Sequence, residues 1–168
     1  MHSGVECTIC GRKWVIVDNS VDKPMFIGEY AYSIDAKKRL AIPARLRKDV
    51  GERAVVTRGL DSCLFVYPME AWNALVAKLG QLPMGKGDTR SFLRLMLAGA
   101  QEVEVDALGR VLIPDYLKTY AGLGKQVIIA GVYDRLEIWD RERWAQYKAA
   151  AERNTDAIAE KLGELGVY

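Results

Sequence analysis

The chain has 168 residues, half of them hydrophobic, and its 24 basic and 22 acidic side chains give a formal net charge of +2. No apolar run approaches the roughly 18 residues that a membrane-spanning helix needs, and the first residues lack the pattern of a secretory signal. Three cysteines without framework spacing exclude a disulfide-stapled scaffold. We therefore expect a cytoplasmic protein with no membrane partner.

Residues 1–24 come first and carry Cys7-x-x-Cys10 near His2, which resembles half of a zinc knuckle. No second cysteine pair follows, so we predict no metal and no cofactor. We interpret this segment as a flexible N-terminal extension.

Short strands and helices alternate from residue 25 onward. The predicted elements are strands at Tyr30–Ile34, Leu40–Ile42, Ala54–Thr57 and Cys63–Tyr67, a short helix between Pro43 and Gly51, and an amphipathic helix at Pro68–Leu79. A linker helix capped by Asp88 is predicted next, over Asp88–Ala98.

The second half of the chain repeats this plan. Its predicted elements are strands at Glu102–Val105, Val111–Ile113, Gln126–Ala130 and Arg135–Trp139, a short helix between Pro114 and Gly122, and a helix at Arg141–Ala151 with Asp140 as N-cap. The chain thus divides into the extension (1–24), a first repeat (25–80), a linker helix region (81–99), a second repeat (100–152) and a C-terminal tail or helix (153–168).

One nine-residue phrase marks the two repeats. Asp35–Pro43 reads DAKKRLAIP and Asp106–Pro114 reads DALGRVLIP, an offset of 71 (106 − 35). After one inserted residue the offset becomes 72, which aligns Val55 with Val127 and Trp72 with Trp144. The register indicates a tandem duplication.

A repeat of about 50 residues with four short strands buries little apolar surface alone, so the two repeats are expected to share a core. The predicted fold is α+β: a pseudo-two-fold β-barrel built from both repeats, with helices packed outside.

Charge is unequally divided between the repeats. From Asp35 to Arg58 there are eight basic and three acidic residues, which gives +5, whereas Asp106 to Ala130 has three and two, which gives +1. Such a cluster is typical of either a solvated surface or a patch that binds a polyanion through counterion release.

Three stretches, MFIGEYAYSIDAKKRLAIPARLR, VVTRGLDSCLFVYPMEAW and DALGRVLIP, resemble the MraZ family of bacterial transcription regulators, which belongs with the AbrB-like swapped-hairpin proteins. The resemblance covers Met25 to about Ala150. It implies a nucleoid-associated protein that binds short repeated boxes of double-stranded promoter DNA in the division and cell-wall gene cluster and controls its own operon. It also implies a ring-like homo-oligomer, with no small-molecule substrate.

The first repeat departs from the family pattern at one position. The family more often has glycine before the motif arginine, as at Gly109, whereas the first repeat has Lys38. If the turn needs a positive φ, Lys38 adopts it at a cost of about 1 kcal/mol.

The motif residues are given distinct roles. Asp35 and Asp106 are expected to accept backbone N–H bonds in their turns and to pair with the motif arginines. Arginine suits DNA contact, because its planar fork meets guanine or phosphate bidentately. The candidate DNA-binding residues are Arg39, Lys37, Lys38, Arg45, Arg47 and Arg110, with the lysines, Arg45 and Arg47 assigned to phosphates.

Two other classes of function stay open as alternatives. A hydrolase could use Asp35 and Asp106 as an acid–base dyad, but an arginine stands four residues after each aspartate and neither is followed by the small residues of such a loop. A non-catalytic assembly protein could use the charged turns for subunit contacts.

Overall fold

The computed structural model describes residues 25–164 and the backbone of two short paired strands, β1 (Val5–Glu6) and β2 (Lys13–Trp14). The zinc-knuckle-like residues His2, Cys7 and Cys10 lie outside the described residues. Within the described part of the chain, no helix has both the length and the apolar character that a membrane crossing needs.

Each repeat supplies four strands and two or more helices. The first contains β3 (Phe26–Ser33), β4 (Arg39–Ala41), a 3-10 turn (Ala44–Leu46), α1 (Arg47–Val50), β5 (Arg53–Arg58), β6 (Leu64–Pro68) and α2 (Met69–Leu79). After α3 (Gly87–Leu97), the second contains β7 (Gln101–Glu104), β8 (Arg110–Leu112), α4 (Asp115–Tyr120), β9 (Gln126–Tyr133), β10 (Arg135–Asp140) and α5 (Arg141–Arg153), and α6 (Thr155–Glu164) follows it. Most bounds lie within two residues of the prediction.

The predicted aspartate N-cap is present at the start of α5 but not at the start of α3. Asp140 caps α5, because its Oδ1 accepts hydrogen bonds from the backbone N–H groups of Glu142 and Arg143. The predicted Asp88 cap of α3 is wrong: α3 begins at Gly87, and Asp88 lies in the first turn. There its negative charge is favoured by the helix dipole instead.

The two repeats exchange strands. A six-stranded antiparallel sheet has the order β3-β9-β10-β6-β5-β7, so β3 of the first repeat pairs with β9 of the second, and β7 of the second pairs with β5 of the first. A second, two-stranded sheet consists of β4 and β8. Each repeat therefore completes the sheet of the other, as the small size of the repeats predicts.

A pseudo-two-fold axis relates the repeats and can be located from the strand register. Phe65 pairs with Glu137, its own counterpart at an offset of 72, in the centre of the large sheet. Leu40 pairs with Val111, its counterpart at an offset of 71, in the small sheet. A residue that pairs with its own counterpart lies on the axis, so the axis runs through both sheets.

The structure corrects the alignment of β5 with β9. Val66 pairs with Val56, and the equivalent Ile138 pairs with Ile129, so the offset here is 73 (129 − 56) rather than 72. Aligning Val55 with Val127 is wrong because a shift of one residue along a strand exchanges its two faces. The sequence match between two valines obscured that difference.

The large sheet is covered on both faces. One face packs against the small sheet and α4 through aliphatic side chains that include Leu40, Val111 and Leu117. The other face carries a cluster with Trp72, Trp139 and Trp144, and helices α2 and α5 lie against it. The α+β class with a mainly antiparallel sheet is thus confirmed. Among the described strands, β3 and β7 form the edges of an open sheet, so the closed barrel is not confirmed.

Candidate nucleic-acid interface

The first doubled phrase folds into a turn that is organised by Asp35. Its Oδ1 accepts hydrogen bonds from the backbone N–H groups of Lys37 (2.8 Å) and Arg39 (2.9 Å). Its Oδ2 accepts from Nε and Nη2 of Arg39, both at 2.8 Å. The carboxylate therefore fixes the turn and the direction of the arginine together.

The second turn has the same geometry around Asp106. Oδ1 accepts from the backbone N–H groups of Leu108 and Arg110 at 2.9 Å, and Oδ2 accepts from Nε (2.8 Å) and Nη2 (2.7 Å) of Arg110. In a planar guanidinium Nη1 lies on the side away from this pair. Each motif arginine thus keeps donors for a further acceptor.

Both turns belong to the small sheet and face the same way. Leu40 and Val111 point into the core with no exposed area, so the alternating residues Arg39, Ala41, Arg110 and Leu112 form the outer face. Reciprocal hydrogen bonds join the turns, from Ile42 N–H to Gly109 O (2.8 Å) and from Ile113 N–H to Lys38 O (2.9 Å). The two arginines consequently lie on one rigid, outward-facing platform.

The residue before each motif arginine has a positive φ. The value is 62° at Lys38 and 75° at Gly109. Glycine adopts this conformation without strain, whereas lysine does so at a cost of roughly 1 kcal/mol or more. Lys38 therefore keeps the shape of the turn at some expense in stability, and its side chain adds a cation beside Arg39.

The other cations of the first repeat are placed differently from one another. Lys37 and Lys48 are exposed, and Arg45 is exposed with its guanidinium 5.7 Å from the centre of the Tyr30 ring. Arg47 is half-buried and donates from Nε to the carbonyl of Ile42 (2.8 Å). The Arg47 side chain also lies directly against Gly109, so it supports the second turn as well as carrying a charge.

Lys118 keeps the positive charge of Arg47 in the second repeat, but the positions equivalent to Lys37, Lys38 and Arg45 are not basic. With the offset of 71, Leu108 stands in place of Lys37, Gly109 in place of Lys38 and Tyr116 in place of Arg45. Leu108, Leu112 and Tyr116 are all exposed. The outer face therefore changes from cationic around the first turn to partly apolar around the second.

Electrostatics keep both motif aspartates ionised. The backbone N–H of Arg39, followed by its guanidinium, lowers the pKa of Asp35 below its ordinary value. The Arg110 side chain is the largest influence that lowers the pKa of Asp106 to about 2, and the same bond raises the pKa of Arg110. A dyad that shares a proton needs one carboxyl with a raised pKa. The geometry gives neither aspartate such a pKa.

Two features of this surface are absent from the sequence predictions. Lys38 Nζ forms an ion pair with Asp115 Oδ2 at 2.5 Å, although the residues are 77 positions apart. Leu112 is exposed beside Arg39 through strand pairing. The doubled phrase could have indicated both contacts, since counterparts that pair across a pseudo-two-fold axis bring the two copies of the phrase together.

The described part of the chain contains no candidate metal site. Across those residues, no three histidine, cysteine, aspartate or glutamate side chains are grouped closely enough to hold a metal ion. Cys63, the cysteine that the structure describes, is buried and its Sγ lies 3.1 Å from the carbonyl oxygen of Leu60.

Comparison with known proteins identifies the family. The family model described as "MraZ protein, putative antitoxin-like" matches the chain twice, over residues 25–95 and 96–164. The transcriptional regulator MraZ of Acetivibrio thermocellus is 49% identical over 143 residues, which are 85% of this chain and 100% of that protein. The proteins of the same name from Pelotomaculum thermopropionicum (49%, 85% and 99%) and Alkaliphilus metalliredigens (47%, 85% and 100%) are similarly close.

These matches confirm both the tandem repeat and the resemblance that the doubled phrase indicated. On the two family matches and the extent of identity to these relatives, the chain belongs to the MraZ family.

Proposed function

We propose that this protein is a DNA-binding transcriptional regulator and that the outer face of β4 and β8 is its DNA-binding surface. One observation carries the proposal: Arg39 and Arg110 are held by their own aspartates on the same face of one small sheet. Relatives of this chain are named transcriptional regulators, which supports DNA as the proposed partner.

The proposed surface suits a duplex in shape and in charge. A two-stranded antiparallel ribbon fits the major groove of B-DNA, and arginine is the commonest residue that reads guanine there. Lys37, Lys38 and Arg45 stand at the first turn and are assigned to phosphates, which fix register rather than sequence. Arg47 is also assigned to a phosphate, but only its Nη groups are offered for that contact, because its Nε already donates to the Ile42 carbonyl.

The target and the assembly are parts of the same proposal. The DNA is proposed to be a set of short repeated boxes in the promoter of the division and cell-wall gene cluster, through which the protein controls its own operon in the nucleoid. Each chain presents one strongly cationic turn, which is a small footprint for specific binding. A closed, ring-like homo-oligomer would multiply that footprint through effective concentration.

A salt-dependent titration tests the proposal. Full-length protein is titrated against DNA from immediately upstream of its gene and against a scrambled fragment of the same length and composition, at several salt concentrations. A regulator is expected to bind the native fragment at least about 1,000-fold more tightly and to lose affinity steeply with salt. Equal affinity for both fragments would contradict sequence-specific binding, and no binding by an intact oligomer would favour the assembly alternative.

A further inference from the structure

The outer face of the small sheet holds one feature that electrostatics leaves unexplained. Leu112 is 54% exposed at one end of this face, although residues beside it on both strands are charged or small. A single exposed leucine on a surface is ordinary. This one is notable for its position, because strand register sets it directly opposite Arg39.

The backbone fixes where Leu112 can be. Its N-terminal neighbour Val111 is fully buried on the pseudo-two-fold axis, and Ile113 after it is buried as well. The N–H of Ile113 donates to the carbonyl of Lys38, which ties the strand to the first turn. Side chains that are directly opposite in an antiparallel pair have Cβ atoms about 5 Å apart. Leu112 therefore accompanies Arg39 wherever that arginine is placed.

Repeat symmetry also distinguishes Leu112 from its counterpart. The equivalent residue in β4 is Ala41, which lies opposite Arg110 in the same register. One end of the ribbon thus presents an arginine beside a leucine, and the other presents an arginine beside an alanine. A surface that only held phosphates would gain nothing from a large apolar group beside its arginine.

We infer that Leu112 is a sequence-reading residue, which packs against the 5-methyl group of a thymine next to the base pair or phosphate contacted by Arg39. This inference rests on the proposed function, since it requires the outer face to enter the major groove. In that groove thymine is distinguished by its methyl group, which apolar side chains contact. Burial of one methyl group corresponds to about a fourfold change in affinity.

The test removes the methyl groups from the DNA and the leucine from the protein separately. Each thymine of the bound fragment is replaced in turn by deoxyuridine, which changes no hydrogen-bonding group, and affinity is measured for the wild-type chain, Leu112→Ala and Leu60→Ala. Leu60 is 53% exposed in the loop between β5 and β6, so it is matched to Leu112 in chemistry and exposure but lies off the ribbon. Thermal melting and mass in solution are recorded for every variant.

Wild type and Leu60→Ala are expected to lose about fourfold in affinity at one thymine per bound box, and Leu112→Ala is expected to lose nothing further there. An unchanged deoxyuridine penalty in Leu112→Ala would overturn the inference, as would a wild-type chain that tolerates deoxyuridine at every position. Dissociation of the oligomer in Leu112→Ala with the penalty retained would assign the leucine to subunit contact and overturn it too. Failure of the wild type to bind the unmodified fragment would instead refute the proposed function.

Discussion

Lys38 and Asp115 join the two repeats through an ion pair, with Nζ and Oδ2 2.5 Å apart. Their side chains are 47% and 70% exposed, so solvent screens the pair and it contributes little to stability. Its effect on binding is different, because a phosphate that approaches Lys38 competes with the carboxylate of Asp115.

Asp115→Asn should therefore strengthen DNA binding. An exposed pair of this kind is worth up to about 1 kcal/mol, which corresponds to a gain of about fivefold or less. The gain should extend to scrambled DNA, since phosphate contacts carry no sequence information. In a Lys38→Ala background the same substitution should have almost no effect. Titration of the two single variants and the double variant checks this, and an equal gain in both backgrounds would disconnect Asp115 from Lys38.

Lys38→Gly should make the protein more stable and its DNA binding weaker. Lysine at φ 62° is strained by about 1 kcal/mol, and glycine removes most of that strain. The same change deletes a cation from the proposed surface. In this one variant, the free energy of unfolding measured in urea should thus rise while the DNA affinity measured by titration falls. A fall in stability would mean that the ion pair with Asp115 outweighs the backbone strain.

Gly109→Ala should destabilise the protein by about 2 kcal/mol. The left-handed backbone at φ 75° costs an alanine roughly 1–2 kcal/mol. A Cβ atom at this position would also collide with the Arg47 side chain, at its Nε. Adding Arg47→Ala to Gly109→Ala should relieve the collision but not the backbone strain. Denaturation of both variants separates the two causes. If the double variant regained the full wild-type free energy of unfolding, backbone strain at residue 109 would be contradicted.

Acid should destabilise the fold through Asp106. Its pKa of about 2 in the folded chain lies below the ordinary value near 3.9 of an unfolded one. A lowered folded pKa contributes stability above the unfolded pKa, and that stability is lost as pH falls through the folded pKa. Thermal melting between pH 5 and pH 2 should therefore show a shallower pH dependence for Asp106→Asn than for the wild type. Asp156→Asn, on the exposed face of α6, is the matched control and should follow the wild type.

The two motif arginines should differ in function despite their common geometry. Arg39→Ala is expected to remove a contact worth roughly 1–3 kcal/mol per subunit, which an oligomer multiplies into near-complete loss of promoter binding. Arg110→Ala should lower thermal stability before it lowers DNA affinity, because few cations surround the second turn. Titration with oligomer mass recorded beside it decides the matter. Loss of binding by an intact Arg110→Ala oligomer, with Arg39→Ala binding normally, would reverse the assignment.

Much of the fold could be predicted because the sequence contains a tandem repeat. The doubled phrase indicated a duplication, and repeats too small for their own core implied the exchange of β3 and β7 between them. The turn geometry around Asp35 and Asp106 follows from the ability of aspartate to accept local backbone N–H groups. Closure into a barrel did not follow, because the number of strands does not determine whether the two edges of a sheet meet.

The rest of the site depends on contacts that only the folded chain creates. In the sequence Arg47 is one cation among several, but helix α1 directs its side chain towards Ile42 and Gly109. An alignment of the two repeats matches Arg39 with Arg110, whereas the register of β4 with β8 sets Arg39 opposite Leu112. Pairing across a pseudo-two-fold axis is the physical reason that distant residues of the two phrases became neighbours.

The salt dependence of binding by Lys37→Ala tests the central proposal most directly. Lys37 is exposed at the first turn and its backbone N–H, rather than its side chain, holds the turn together, so the substitution should leave the fold intact. If this face lies on DNA, the slope of log affinity against log salt should become shallower by about 0.9 for each subunit engaged, while Lys161→Ala on α6 should keep the wild-type slope. An unchanged slope and affinity in Lys37→Ala would contradict the assignment of this face to DNA.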